Sequence, residues 1–213
     1  MDSSKFGVAY LDRTIFLSGE SIRVDCRRQP MKIPAGTYVM AVVRLESDEH
    51  NPAAFSKQQI DKLCERIMDV GKNQSVRAVQ IDFDARQNEQ LGYKRLLAAV
   101  RARLPNKIPL SMTALLSWCV DDTWLEGLPV DEAVPMFFRM GVHESERQRY
   151  LQKLTSGDLL AHQIRCKCQD SIGVCTDELF DLKPFTARRI YVFSPIKWQK
   201  SSAISLTNQS RFE

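Results

Sequence analysis

The sequence lacks several patterns that would assign the protein to a class directly. No apolar run reaches the roughly 18 residues that a membrane helix needs, so no membrane span is expected. No block of lysine and arginine occurs and the net charge is only +4, so nucleic acid is not an expected partner. The chain as written begins without a signal-peptide pattern, which predicts a cytoplasmic location. If the natural N-terminus is longer, a periplasmic or secreted location is expected instead.

The motifs of several enzyme and metal-binding classes are also missing. No glycine-rich phosphate loop follows the early strand-like runs, which disfavours nucleotide binding. No Gly-x-Ser-x-Gly turn occurs, which disfavours a serine hydrolase. The pair Cys166-x-Cys168 is tighter than a zinc pair and has no second pair to complete a site, so we expect neither a metal nor a cofactor. Six cysteines at this length give no disulfide framework of the secreted type.

The composition is typical of one globular domain. Of the 213 residues, 44% are hydrophobic and 26% are charged, which allows a sizeable core. We therefore expect a single domain over residues 1–200, followed by a polar tail at residues 201–213.

Strand-like runs alternate with helical periodicity along the chain. Alternating or continuous apolar runs predict strands, and apolar residues at helical spacing predict helices. Ser56 and Gln59 form a capping box at one helix start, and Ser18-Gly19 marks a hairpin turn. The predicted strands are 6–11, a hairpin at 13–26, 37–46, 76–83, 108–118, 131–141, 171–175 and 188–195. The predicted helices are 56–71, 88–103, a short one at 121–129, and 144–157.

This order predicts an α/β fold of the (β/α) TIM-barrel type. Strands followed by helices form parallel sheets with helices outside. A closed barrel of eight units typically needs about 250 residues, and this chain supplies about seven parallel strands plus the hairpin. The barrel is therefore expected to be incomplete at its N-terminus. A doubly wound open sheet is the alternative.

Two aspartates end the strand-like run "VRAVQIDFDA". Side chains alternate along a strand, so Gln80, Asp82 and Asp84 share one face, and the apolar residues at 79, 81 and 83 share the other. In barrels, active sites lie at the C-terminal ends of the strands. Asp82 and Asp84 are about 6.5 Å apart by backbone rise, and carboxyl pairs in glycosidases are about 5–9.5 Å apart. This spacing permits glycoside chemistry. The alternative is that both aspartates bond Ser, Arg or backbone groups inside the barrel.

Four linked motifs resemble one family. They are "VVRLE", "VQIDFDA", "PLSMTALLSWC" and "LPVDEAVPMFFRMG", in this order. Together they resemble the bacterial family called domain of unknown function 3142, from Met40 to Gly141, with a weaker likeness to Pro195. The resemblance implies a divergent glycoside-hydrolase-type barrel whose activity is not established.

A more distant resemblance is to family 18 chitinases, whose central strand carries carboxylates at alternate positions. By this resemblance Asp84 would be the proton donor, and Asp82 would raise its pKa or hold the substrate. Chitinases end this motif in Glu, which is one methylene longer. In a later strand of type Met-x-Tyr-Asp, this sequence has Met136, Phe138 and Arg139. The missing hydroxyl and carboxylate argue against plain chitinase activity. Arg139 would instead bind an acidic sugar or pair with Asp84.

Further candidates end other predicted strands. Arg44 and Glu46 are expected to line the same mouth as the aspartates. Trp118 is expected either to stack on a sugar ring or to cap the barrel core. Asp177 and Glu178 would supply a third carboxylate or simply begin a helix.

These observations leave two functions open. One is a glycosidase-like hydrolase with carbohydrate as its partner. The other is a non-catalytic sugar-binding or scaffold barrel, the product of a truncated gene. The oligomeric state is not predicted.

Overall fold

The computed structural model describes residues 6–73, 75–120, 122–139, 166–178 and 188–194. This part of the chain is an α/β fold with mostly parallel strands. Its strands are β1 Gly7–Ser18, β2 Ser21–Cys26, β3 Tyr38–Ser47, β4 Ala78–Asp82, β5 Leu110–Leu115, β6 Glu132–Met136, β7 Ser171–Cys175 and β8 Arg189–Phe193. Its helices are α1 Lys57–Gly71, α2 Gln90–Arg103, α3 Leu116–Val120 and a short 3-10 helix at Cys166–Cys168.

The chain divides into two compact units. The first contains Met1–Thr113 and Glu126–Asp131, and the second contains Ala114–Leu125 and Glu132–Glu213. The polar tail expected at 201–213 lies outside the described residues.

The first unit is built on the strands β1 to β5. β1 and β2 form the predicted antiparallel hairpin, closed by the pair Ser18 and Ser21, and β1, β3, β4 and β5 run parallel in that order. Gly19 has φ +52°, which a two-residue hairpin turn requires at its first position. The sequence predicted a break after Leu11. Instead β1 is continuous, and its register to β3 shifts between Leu11 and Arg13.

The helices α1 and α2 begin and end close to the predicted bounds. The Ser56 hydroxyl accepts the Gln59 amide at 3.1 Å, while the Gln59 side-chain oxygen accepts the Phe55 amide at 2.7 Å. The first bond satisfies an amide that a helix start leaves without a partner, and the second satisfies the amide of the residue before the N-cap. The core of the unit consists of fully buried side chains from strands and helices, including Val43, Val79, Ile81, Leu63, Ile67, Leu96 and Leu97.

The second unit contains β6, β7 and β8, which pair in parallel. At the start of β6, the Glu132 carboxylate accepts Arg189 Nη1 and the Tyr191 hydroxyl, each at 2.7 Å. Burial and the Glu132 charge raise the pKa of Tyr191, so this phenol stays a donor. The cluster joins β6 to β8 and has a structural role.

Two predictions near residue 118 were wrong. The predicted strand 108–118 ends at Leu115, and the following residues form α3. The predicted helix at 121–129 is a turn in which the Asp122 carboxylate accepts the amides of Thr123 and Trp124. Short polar side chains stabilise such turns by bonding backbone amides that would otherwise enter a helix. The predicted helix 144–157 lies outside the described residues. No helix in the described ranges is long and apolar enough to cross a membrane.

Candidate functional site

Adjacent parallel strands bring polar side chains to one face of the first unit's sheet. β3 and β4 pair with Arg44 beside Asp82, and β4 and β5 pair with Gln80 beside Ser111. Gln80 is buried and its Nε2 donates to Ser111 Oγ at 3.1 Å. Two residues further along the same strands, Thr113 Oγ1 donates to the Asp82 carboxylate at 2.8 Å. The apolar face predicted for residues 79, 81 and 83 is buried, as expected from the alternation.

Asp84 follows the end of β4 by two residues and is exposed. Partial desolvation by the surrounding protein is the largest cause that raises the pKa of its carboxyl. The charge of Asp82 raises this pKa further, and the charge of Arg44 lowers it. Within the described residues, Asp84 has no hydrogen bond or ion pair. Its carboxyl is therefore free to meet a ligand, and it holds a proton more readily than an ordinary aspartate.

Arg44 does not neutralise the aspartates by direct pairing. Its Nε contacts Glu46 Oε1 at 3.0 Å, two residues along the same strand and on the same face, and both side chains are about half exposed. The sequence predicted that both residues line one mouth. The two carboxyl groups of this face, those of Asp82 and Asp84, are therefore not in contact with any described cation.

Arg86 joins the loops that follow β3 and β4. Its Nη2 donates to the carbonyls of Ser47 at 2.9 Å and Asp48 at 3.0 Å, and its Nη1 donates to that of Glu49 at 3.2 Å. Its Nε lies 3.2 Å from the buried Glu89 carboxylate, which also accepts the Arg86 amide. The guanidinium therefore fixes the loop after Glu46 against the loop after Asp84.

Trp118 lies in the second unit. It is 5% exposed, and its ring packs edge-on against Trp124 at 4.8 Å between centroids. This burial favours the packing role over the predicted stacking on a sugar ring.

Arg139, Asp177 and Glu178 also lie in the second unit, after the strands β6 and β7. Arg139 Nη2 is 3.6 Å from Asp177, and the Arg139 amide donates to Glu178 Oε1 at 3.1 Å. A hydrogen bond from the Cys175 thiol is the largest cause that lowers the pKa of Asp177, and the charge of Arg139 lowers this pKa as well. The three predicted residues are thus brought together within the second unit, where the Arg139 guanidinium pairs with Asp177.

Five of the predicted site residues share the first unit's polar face. They are Arg44, Glu46, Gln80, Asp82 and Asp84. The other four belong to the second unit, and they are Trp118, Arg139, Asp177 and Glu178.

Sequence reasoning missed three residues around the aspartates. Ser111 and Thr113 were part of a predicted strand, and the alternation that placed Gln80 inward could have placed them beside it. Arg86 had no signal, because its partners are backbone carbonyls that are 37 to 39 residues away in sequence. The described ranges contain no cluster of three or more His, Cys, Asp or Glu side chains that could hold a metal ion.

A disulfide joins Cys119 of α3 to Cys168 of the 3-10 helix. The two Cα atoms are 6.0 Å apart, and both side chains are fully buried. The expectation that the cysteines form no secreted-type framework did not anticipate this bond. Two cysteines separated by 49 residues give no local pattern from which their pairing can be read.

Residues 35–138 match the model of a family described as Domain of unknown function (DUF3142). The match confirms the family resemblance of the four motifs. No curated protein matches the chain.

Two solved structures are similar to the chain at low identity. One is the Bacillus cereus spore cortex-lytic enzyme SleL, with 16% identity and a TM-score of 0.46, covering 79% of this chain and 43% of that one. The other is the chitinase RmChi1 from Rhizomucor miehei, with 13% identity and a TM-score of 0.45, covering 83% of this chain and 64% of that one. This chain therefore spans less than two thirds of the length of either protein.

Proposed function

We propose that the polar face at the C-terminal ends of β3 and β4 binds a carbohydrate and acts as a glycosidase-like hydrolase. The observation that carries this proposal is the state of Asp82 and Asp84. Both carboxylates point away from the apolar core, and no described cation contacts either of them. A partly desolvated carboxylate with a purely structural role is usually compensated by a cation, because a desolvated charge without one lowers stability. These two aspartates are better explained by a ligand.

The roles follow from the two environments. Asp84 has a raised pKa and an accessible carboxyl, so it is the general acid that protonates the glycosidic oxygen. The Thr113 hydroxyl holds the Asp82 carboxyl, and Asp82 raises the pKa of Asp84 through its charge. Asp82 therefore favours the proton on the acid before the reaction and would stabilise positive charge that develops on the sugar ring. Gln80 and Ser111 form the floor beneath the pair.

Parallel strands with intervening helices support a (β/α) barrel as the scaffold. The parallel strands and the helices between them are elements expected of a TIM-type barrel. In such a barrel the strand ends that carry Arg44, Glu46 and the two aspartates would form the mouth.

A non-catalytic sugar-binding barrel is the second candidate. The burial of Trp118 favours it, because the predicted aromatic platform for a sugar ring is occupied by Trp124. The short side chain of Asp84 also favours the non-catalytic barrel, since an Asp reaches less far toward a glycosidic oxygen than a Glu does.

A glycan-binding screen by thermal shift on the wild type, Asp84→Asn and Asp69→Asn tests the proposal. Asp69 is an exposed partner of Lys72 on α1 and serves as the matched control. The hydrolase predicts that one glycan stabilises the wild type and Asp69→Asn, and that both cleave it while Asp84→Asn does not. Binding without cleavage by all three proteins would support the non-catalytic barrel. If no glycan shifts the melting temperature of any of them, the carbohydrate proposal is wrong.

We also infer that the protein resides in an oxidising compartment, the periplasm or the cell exterior. The Cys119–Cys168 disulfide supports this location, because such bonds persist mainly outside the reducing cytoplasm. Acid quenching of intact cells, followed by alkylation of free thiols under denaturing conditions and by mass spectrometry, tests it. Denaturation is needed because both side chains are fully buried in the fold. Cys119 and Cys168 should remain unlabelled until a reductant is added to the denatured protein, and labelling of both without a reductant would contradict the location.

A further inference from the structure

The strand β2 has one free edge in the described part of the first unit. It pairs with β1 on one side, and it is the outermost strand in the order of this sheet. A strand edge presents unpaired amides and carbonyls, which readily pair with another strand. What can occupy the edge depends on which residues point outward and on their charges.

The register of the hairpin identifies the outward groups. In an antiparallel pair, every second residue exchanges backbone bonds with the partner strand, and the residues between them point their bonds away. The Arg27 amide donates to the Asp12 carbonyl at 2.8 Å, which sets the phase of the ladder. Arg23 and Asp25 lie four and two residues before Arg27 and share its phase. Their amides and carbonyls therefore bond β1, opposite Phe16 and Thr14. The amides and carbonyls of the alternate residues, Ile22, Val24 and Cys26, therefore point to the free edge.

We propose that β2 pairs with β2 of a second copy of the chain, antiparallel about a two-fold axis at Val24. In this register Val24 lies opposite Val24 of the partner subunit, and Ile22 lies opposite Cys26 of the partner subunit. Each of these residues is one of those whose amide and carbonyl point outward, so the register closes three hydrogen-bonded pairs. The sheet of one copy would continue into that of the other.

The charges on β2 fit this two-fold register. Arg23 lies opposite Asp25 of the partner subunit, and Asp25 lies opposite Arg23 of the partner subunit, so two opposite-charge pairs form. These are the non-hydrogen-bonded positions of the new ladder, where facing side chains come closest. An edge with charges of one sign repels a second copy, which is how many sheets avoid pairing. The β2 edge instead carries opposite signs two residues apart, which is self-complementary.

The structure also holds the Arg23 side chain in place. The Arg23 guanidinium lies over the Phe16 ring at 3.9 Å from its centroid. This contact keeps the Arg23 side chain on the sheet face, so less conformational entropy is lost when it meets the partner carboxylate. Ile22 and Val24 are only half buried and would lose further exposed apolar area in the dimer.

Sedimentation velocity of the whole chain tests the proposal, together with a substitution that affects only the outward amide. Over about 5–500 µM, the wild type should change from monomer to dimer. Val24→Pro removes the central outward amide and leaves the bonds to β1 intact, because an edge strand tolerates proline where its amide faces outward. Val24→Pro should remain monomeric, while the matched control Val24→Thr, which keeps the amide, should dimerise as the wild type does.

Charge variants provide a second readout if Val24→Pro fails to fold. Arg23→Asp places like charges opposite each other and should weaken dimerisation by about tenfold or more. The double variant Arg23→Asp/Asp25→Arg restores opposite pairs and should recover most of the affinity. A wild type that stays monomeric over the whole range would overturn the proposal. So would a dimer whose affinity is unchanged by Val24→Pro or by Arg23→Asp, because its interface would lie elsewhere.

Discussion

The Cys119–Cys168 disulfide gives a quantitative prediction for stability. It closes a loop with a sequence separation of 49 residues. Restricting the unfolded chain in a loop of this length is worth about 4 kcal/mol by the chain-entropy relation. Because residual structure in the unfolded chain reduces such gains, we expect removal of the bond to lower the free energy of unfolding by about 2–4 kcal/mol.

The variant Cys119→Ala/Cys168→Ala measures this loss by urea unfolding followed by circular dichroism. For a chain of this size, we expect its melting temperature to fall by roughly 4–16 °C relative to the oxidised wild type. Wild-type protein that is reduced while unfolded and then refolded in reductant should have a stability close to that of the double variant. Native protein should resist reduction, because both side chains are fully buried.

The control for this experiment is Cys64→Ala. Cys64 is a fully buried free thiol, so its substitution measures the cost of losing one buried sulfur without losing a cross-link. Stabilisation by loop closure is refuted if the double variant loses no more stability than twice the loss in Cys64→Ala. It is also refuted if reduction leaves the urea midpoint of the wild type unchanged.

Two other substitutions test the packing around the site. Arg86→Met removes the bonds to three carbonyls and leaves the buried Glu89 carboxylate without its cation. Urea unfolding should therefore show that the free energy of unfolding falls by about 2–3 kcal/mol. Adding Glu89→Gln to this variant should recover part of the loss. Gly92→Ala places a methyl group within 2.7 Å of Phe55 Cβ, so its melting curve should show a loss of about 1–3 kcal/mol. An unchanged stability in either variant would contradict the contacts described for it.

Local patterns in the sequence predicted most of the first unit. The alternation in β3 and β4 indicated both the strands and the face that carries Asp82 and Asp84. The capping pair of Ser56 and Gln59 located the start of α1 within one residue. These features depend on residues that are close together in sequence, so they could be predicted from the sequence alone.

Tertiary contacts determined what the sequence did not predict. Leu116 to Val120 are apolar enough for a strand, yet they form α3, where Trp118 and Cys119 are buried. A short apolar run fits either a strand or a helix, and packing decides between them. The contacts of Arg86 and the pairing of Cys119 with Cys168 join residues that are distant in sequence. Such contacts leave no periodic pattern in the sequence from which they could be predicted.

We propose that Asp84 belongs to a functional surface and not to a structural ion-pair network. Desolvation and the charge of Asp82 raise its pKa in the folded protein above the ordinary value of an aspartate. A carboxyl whose pKa is higher in the folded state contributes stability below its unfolded-state pKa, and this contribution is lost as the pH rises through the folded-state pKa. Ionisation of Asp84, as the pH rises through its folded-state pKa, therefore lowers the stability of the fold.

The most direct test compares the melting temperatures of the wild type, Asp84→Asn and Asp69→Asn from about pH 3 to pH 7. The hydrogen bond from Lys72 lowers the pKa of Asp69, so Asp69→Asn should be slightly less stable than the wild type at pH 7 and should approach it as the pH falls. Asp84→Asn should instead be more stable than the wild type at pH 7, with the difference vanishing at low pH. If Asp84→Asn melts below the wild type at pH 7, as Asp69→Asn does, Asp84 is a structural carboxylate and the account of the site is wrong.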